Sequence, residues 1–120
     1  MFKLAIPVLH VSSSVVAEEF YCDHLGFRRE SAYRPSGDID PCHMSLVRDD
    51  VRLHVSSFSG DAVSGGVVYL RVDDIDGLHE ELLQKNVSID TGPINQEWGN
   101  REMYLKDSDG NSIRFFCPNI

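Results

Sequence analysis

The side chains here that could bind or transform a small molecule are a few histidines, one tryptophan, two arginines in strand-like runs and a glutamate close by. Imidazoles hold metals or move protons near neutral pH. His10, His43 and His54 fall in apolar runs that read as strands, whereas His24 and His79 fall in helical patterns. No His-x-His or His-x-x-x-His spacing occurs, so no local pattern forces two imidazoles onto one ion. Two histidines and a carboxylate, His10 and His54 with Glu102, could still make a metal site; otherwise both imidazoles are hydrogen-bonded pocket walls. A nucleophile motif is absent: there is no Gly-x-Ser-x-Gly and no cysteine with a nearby paired histidine. Asp107 and Asp109 look like an acid pair, but Asp-x-Asp-Gly is turn chemistry. Trp98 can stack on a ligand, because a large ring supplies contact area at little entropic cost, or can pack on a sheet. Arg71 and Arg114 can grip an anionic group, or can pair with Glu102 and balance charge.

The elements that must position these residues follow from periodicity. Residues 4–11 form an apolar run with Ile6, Val8 and His10 on one face, and Pro7 keeps part of it out of a ladder. Ser13 caps a helix carrying Val16, Ala17, Phe20, Tyr21, His24 and Leu25 at helical spacing, stopped by Gly26. A strand is expected from Phe27 to Tyr33, then an exposed loop at 34–40, then strands at 42–47 and 51–56 around an Asp49-Asp50 turn. Residues 57–66 are rich in Gly and Ser and read as a linker. Val67, Tyr69 and Arg71 share one face of the next strand. Asp74 caps a second helix, with Asn86 as its left-handed stop. A short strand at 87–89 and a loop at 91–97 are expected next. The last hairpin alternates Met103 and Leu105 against Glu102 and Tyr104, turns at Asp109-Gly110, and returns through Ser112, Arg114 and Phe116.

The two halves repeat. Leu9-His10-Val11 matches Leu70-Arg71-Val72, Phe27 matches Val87, and Met44-Ser45-Leu46 matches Met103-Tyr104-Leu105. The fold class is therefore α+β: a first βαβββ module at 1–58, a linker at 59–66 and a second module at 67–120, together one domain. Neither half buries enough surface to stand alone. A cleft between like units is a common ligand site.

Composition excludes other classes. A net charge of −8 over 120 residues argues against a nucleic-acid partner. No apolar run reaches the roughly 20 residues that cross a bilayer, so no membrane partner is expected. The opening residues 1–9 are too short for a secretion signal, which leaves a cytoplasmic location. Cys22, Cys42 and Cys117 lack Cys-x-x-Cys spacing and are expected to be reduced thiols.

Trp98-Gly99-x-Arg101-Glu102, followed by Asp107-x-Asp109-Gly110-Asn111-x-x-Arg114-Phe115, resembles the C-terminal signature of the bleomycin-resistance branch of the glyoxalase / bleomycin-resistance / extradiol dioxygenase superfamily. Ile6-Pro7-Val8-Leu9, Phe20-Tyr21, Leu25-Gly26-Phe27 and Val72-Asp73-Asp74-Ile75-Asp76 resemble other stretches of the same superfamily. The resemblance implies an incomplete curved barrel, paired in a homodimer whose two clefts are each built from both chains. It also implies the positions of a divalent metal in the family's enzymes, which fall here at Ile6, at Leu53 or His54, at Val67 and at Arg114. Ile, Val and Arg cannot ligate such an ion. No cofactor and no catalytic residue is therefore expected.

The function expected is a non-catalytic protein that sequesters a small molecule, such as a glycopeptide antibiotic, at a dimer interface. Its ligand-binding residues are His10, His54, Tyr69, Arg71, Trp98, Glu102, Arg114 and Phe116. The alternatives are a metal-dependent glyoxalase or dioxygenase with non-standard ligands, and an interaction module whose cleft is vestigial.

Overall fold

The alternating runs take their places in two four-stranded sheets, in a computed structural model that describes residues 1–119. The first sheet has the order β1-β4-β3-β2, built from β1 (Val8–His10), β2 (Arg28–Tyr33), β3 (His43–Arg48) and β4 (Val51–Ser56). The second has the order β5-β8-β7-β6, built from β5 (Val67–Arg71), β6 (Thr91–Asn95), β7 (Asn100–Lys106) and β8 (Ser112–Pro118). In each sheet the first strand runs parallel to the last, and the other pairs are antiparallel. The helices α1 (Ser14–Glu18) and α2 (Ile75–Gln84) make the crossovers that parallel pairing requires. The class is α+β, as expected, with two open sheets and no closed barrel. No helix of the described residues is long and apolar enough to cross a membrane.

Both helices start and stop as their sequences dictate. Ser13 accepts the Val16 amide at 3.2 Å, and Asp74 accepts the Gly77 amide at 2.9 Å. After Glu18 the first helix widens into a π-helical stretch (Glu19–His24), marked by the Leu25 amide reaching the Phe20 carbonyl at 3.0 Å. Each helix then ends on a left-handed residue, Gly26 (φ 76°) or Asn86 (φ 59°). The following residue, Phe27 or Val87, donates back into the last turn and is itself buried.

One face of each sheet packs on its helix. Leu9, Met44, Leu46, Leu53 and Val55 line that face in the first sheet; Val68, Leu70, Met103, Leu105 and Ile113 line it in the second. Each such side chain contributes about 1.5–3 kcal/mol through burial. The opposite face, here called the open face, carries the candidate residues.

The Asp-x-Asp-Gly-Asn turn ties the halves together. Asp107 accepts the Tyr21 hydroxyl at 2.7 Å, and its other oxygen accepts the amides of Asp109 and Asn111 at 3.0 and 2.9 Å. Asn111 donates to the His10 carbonyl at 2.8 Å and accepts the amides of Gly65 and Gly66. The aspartates are turn formers rather than an acid pair.

Two expectations need correction. Of the run at 4–11, only Val8–His10 is strand, although the Pro7 carbonyl still accepts the His54 amide at 2.9 Å. Upstream, Phe2 and Leu4 lie on the surface. The strand expected at 87–89 is a connection, and the loop expected at 91–97 contains β6. Val87 is buried as the helix stop residue rather than as a ladder member. Gly92, at φ 86°, lets β6 pass so close to β7 that an added Cβ would lie 2.3 Å from the Glu102 carbonyl oxygen.

Candidate functional site

The open face of the second sheet is organised around a buried carboxylate. Asn100, Glu102 and Tyr104 point to that face by strand alternation, Tyr69 and Phe116 reach it from β5 and β8, and Trp98 reaches it from the turn before β7. Glu102 is only 2% exposed. Its Oε2 accepts the Trp98 indole at 2.8 Å, the Asn100 amide at 3.4 Å and the Tyr69 hydroxyl; its Oε1 accepts the Tyr104 hydroxyl at 2.5 Å. Burial pushes the Glu102 pKa up, but donors from Tyr104, Tyr69, Trp98 and Asn100 outweigh it and hold the carboxyl below its ordinary value. The Tyr69 and Tyr104 hydroxyls move the other way: Tyr69 is raised by burial and then by the bond to Glu102, Tyr104 by the bond to Glu102 and then by burial.

The donors fix rings. Tyr69 stacks on Phe116 with centroids 4.2 Å apart and planes 13° apart. The Arg114 guanidinium lies 5.0 Å from the Tyr104 centroid and donates from Nε to the Ser112 hydroxyl at 3.2 Å. Yet Trp98 is 60% exposed and Tyr69 47% exposed. Large aromatic surfaces are thus held still and left open to solvent.

The open face of the first sheet is polar. His54 Nδ1 lies 2.9 Å from His43 Nε2, and His43 Nδ1 lies 3.6 Å from an Asp61 carboxylate oxygen. His10 Nδ1 meets the Asp61 carbonyl at 3.1 Å. Burial, then His43, then Arg52 hold the His54 pKa below 6.5, against a smaller opposing effect of Glu30. Arg52 and Glu30 form a two-point ion pair at 2.8 and 3.0 Å.

These contacts revise several expectations. Arg71 and Arg114 make no ion pair with Glu102, because the tyrosines, the indole and the asparagine occupy both of its oxygens. Glu102 therefore anchors the exposed rings around it. His10, His54 and Glu102 are not brought together: the histidines share the first sheet with His43 and Asp61, while Glu102 belongs to the second. Sequence reasoning missed His43 as the partner of His54. The signal was present, since a strand turn at Asp49-Asp50 makes 43 and 54 diagonal neighbours on one face. It also missed Asn100 and Tyr104 as Glu102 donors, although all three alternate along β7.

Strand pairing decides which residue of β4 faces the site. Val8 lies opposite His54, as Tyr69 lies opposite Arg114, while Leu53 is core. The metal positions of the superfamily's enzymes therefore fall on Ile6, His54, Val67 and Arg114. One imidazole, two aliphatic chains and a guanidinium do not fit a divalent cation. No cluster of three or more metal-binding side chains occurs among the described residues. A cavity of about 510 Å³ lies beside the helix-facing side: Leu25, Leu70 and Phe115 line it, with Arg48, Glu81 and the candidate Arg71 among its charged residues.

Solved structures resemble this chain over nearly its whole length. TnmS3, an antibiotic-binding protein from Streptomyces sp. CB03234, is 25% identical, with 98% of each chain covered and a TM-score of 0.73. A bleomycin-binding protein from bleomycin-producing Streptomyces verticillus, solved with copper(II)-bleomycin, is 28% identical over 96% of this chain and 95% of that one, with a TM-score of 0.71. A glyoxalase / bleomycin resistance / dioxygenase superfamily member from Sphaerobacter thermophilus DSM 20745, 23% identical with 97% and 98% covered and a TM-score of 0.71, shares the fold. No curated protein matches the chain. A family model described as glyoxalase superfamily protein matches residues 1–119, and the chain belongs to that superfamily.

Proposed function

We propose that this protein binds and sequesters a small molecule without transforming it, as an antibiotic-resistance protein of the bleomycin-binding kind, acting in the cytoplasm. The observation that carries this reading is the aromatic face itself. Trp98 and Tyr69 are held by hydrogen bonds to Glu102, yet the two residues are 60% and 47% exposed. Rigid, exposed rings bind flat molecules at little entropic cost. The substitution of ligating positions by Ile6, Val67 and Arg114 supports a site that needs no metal. Two structural relatives at 25% and 28% identity are antibiotic-binding and bleomycin-binding proteins.

A second copy of this chain completes the cleft in this proposal. Val8 and Val67 are exposed on the open faces, and Phe2 and Leu4 are exposed upstream of β1. Pairing would cover them, with the 1–58 and 67–120 modules of both chains around each ligand. Sedimentation at micromolar concentration should report a dimer.

Trp98 is the sole tryptophan, so its fluorescence reports the site directly. Titration with bleomycin and with planar aromatic antibiotics is expected to shift or quench that emission saturably, and Trp98→Phe to weaken binding about tenfold. Lack of response to every compound of both types would refute the binding function. Stoichiometric Zn, Fe, Ni or Mn in protein purified without chelators would favour a metal-dependent enzyme instead.

A further inference from the structure

The charges reachable on the aromatic face are positive. Arg52, Arg48 and Arg101 each pair with a carboxylate, from Glu30, Glu81 and Asp76 respectively. Arg114 has no carboxylate partner among the described residues; it has only the Tyr104 ring and the Ser112 hydroxyl. Arg71, on the same face two residues along β5 from Tyr69, has none either. The carboxylate at the centre of this face, Glu102, is 2% exposed behind the rings, with three donors on Oε2 and the Tyr104 hydroxyl on Oε1, so it is withdrawn from the surface a ligand would meet. The carboxylates of the other open face have partners of their own. Glu30 is held by Arg52, and Asp61 accepts the Ser56 hydroxyl at 2.8 Å beside His43.

From these observations we infer the chemical class of the ligand: a flat aromatic molecule bearing an anionic oxygen, a carboxylate or phenolate. Its rings lie on Trp98 and Tyr69 and its oxygen meets the Arg114 guanidinium. This rests on the binding function proposed above and narrows it. A guanidinium placed over the Tyr104 ring, with Nε donating to Ser112, keeps its two terminal nitrogens to donate, which suits an oxygen carried by a stacked ligand. The overall charge of −8 opposes anions at long range, so the preference is a short-range one.

Three matched probes separate the possibilities: anthracene-9-carboxylate, 9-(hydroxymethyl)anthracene and 9-(aminomethyl)anthracene, each titrated against the intact protein by Trp98 emission. The carboxylate is expected to bind about tenfold more tightly than the alcohol, and the ammonium more weakly than either. Arg114→Gln should erase the carboxylate's advantage and leave the alcohol within about twofold; Arg114→Lys should keep part of it. Should Arg114→Gln not fold, the carboxylate-to-alcohol ratio of the unmodified protein, expected to shrink between about 0.05 and 0.5 M salt, gives the same answer. Binding of all three probes with the ammonium equal to or tighter than the carboxylate, or a ratio indifferent to both Arg114 and salt, overturns the anion preference while leaving the binding function standing. Silence of Trp98 to all three removes the aromatic site itself.

Discussion

The two open faces started from the same βαβββ plan and diverged in how their polar groups are satisfied. On the first sheet, polar groups satisfy one another at the surface: Arg52 takes Glu30, His43 takes His54, and Asp61 takes Ser56. On the second, a single carboxylate is withdrawn to 2% exposure, and three of its four donors carry rings, of which Trp98 and Tyr69 are left exposed. Burying a charge costs several kcal/mol unless donors compensate it. That cost is met here by four donors, and the return is rigidity in the aromatic surface rather than stability as such. The difference bears on the proposed binding: a surface whose polar groups satisfy one another has little to offer a ligand, whereas exposed rings anchored from behind present area for one.

The sharpest way to break this contrast is to remove the anchor. Glu102→Ala strands the Trp98 indole and two phenols around a cavity, and should cost about 2–4 kcal/mol in urea unfolding. Trp98 emission should shift to the red as the indole loses its acceptor. Glu30→Gln, the corresponding loss on the first sheet, should leave the midpoint nearly unchanged, because that pair is at the surface. Equal destabilisation by the two changes would show that the faces do not differ as described.

Much of this was legible in the sequence, for identifiable reasons. Helix caps at Ser13 and Asp74 and stops at Gly26 and Asn86 rest on local hydrogen bonds and backbone angles, which residue type controls directly. The open-face alternation of Val67, Tyr69 and Arg71 rests on the two-residue repeat of a strand. The hub role of Glu102 was not legible, because alternation gives the side to which a carboxylate points but not how many donors converge on it. The β6 strand was hidden for a different reason. Thr91-Gly92-Pro93 reads as loop chemistry, yet Gly92 is needed for the close approach to Glu102. His43 was overlooked because its partner lies diagonally across a turn rather than along the chain.

A milder test acts on the platform rather than its anchor. Phe116→Leu keeps an apolar side chain beside Tyr69 but abolishes the 4.2 Å ring stack. The loss expected is about 1–2 kcal/mol in stability. Affinity for planar aromatic probes should fall more than affinity for aliphatic ones, since a freed Tyr69 must be reordered on binding. If both probe types weaken equally, Tyr69 was not preorganised by its neighbour.

The smallest effect is expected from the histidines, and its sign is fixed. The folded pKa of His54 lies below 6.5, so between the two values the unfolded chain holds a proton that the folded chain does not. Stability contributed by neutral His54 is therefore complete above pH 6.5 and is lost as pH falls through the folded value. His43 and Arg52 face the ring and disfavour its cation, and Glu30 only partly offsets them. The carboxyls held low, such as Glu81 and Glu102, belong to a separate window below their ordinary value of 4.5. Because His54 is only partly buried, the loss is under about 1 kcal/mol. Urea midpoints measured from pH 7.5 down to 5 should decline for the unmodified protein and decline less for His54→Gln; parallel curves would mean that His54 is as easily protonated folded as unfolded.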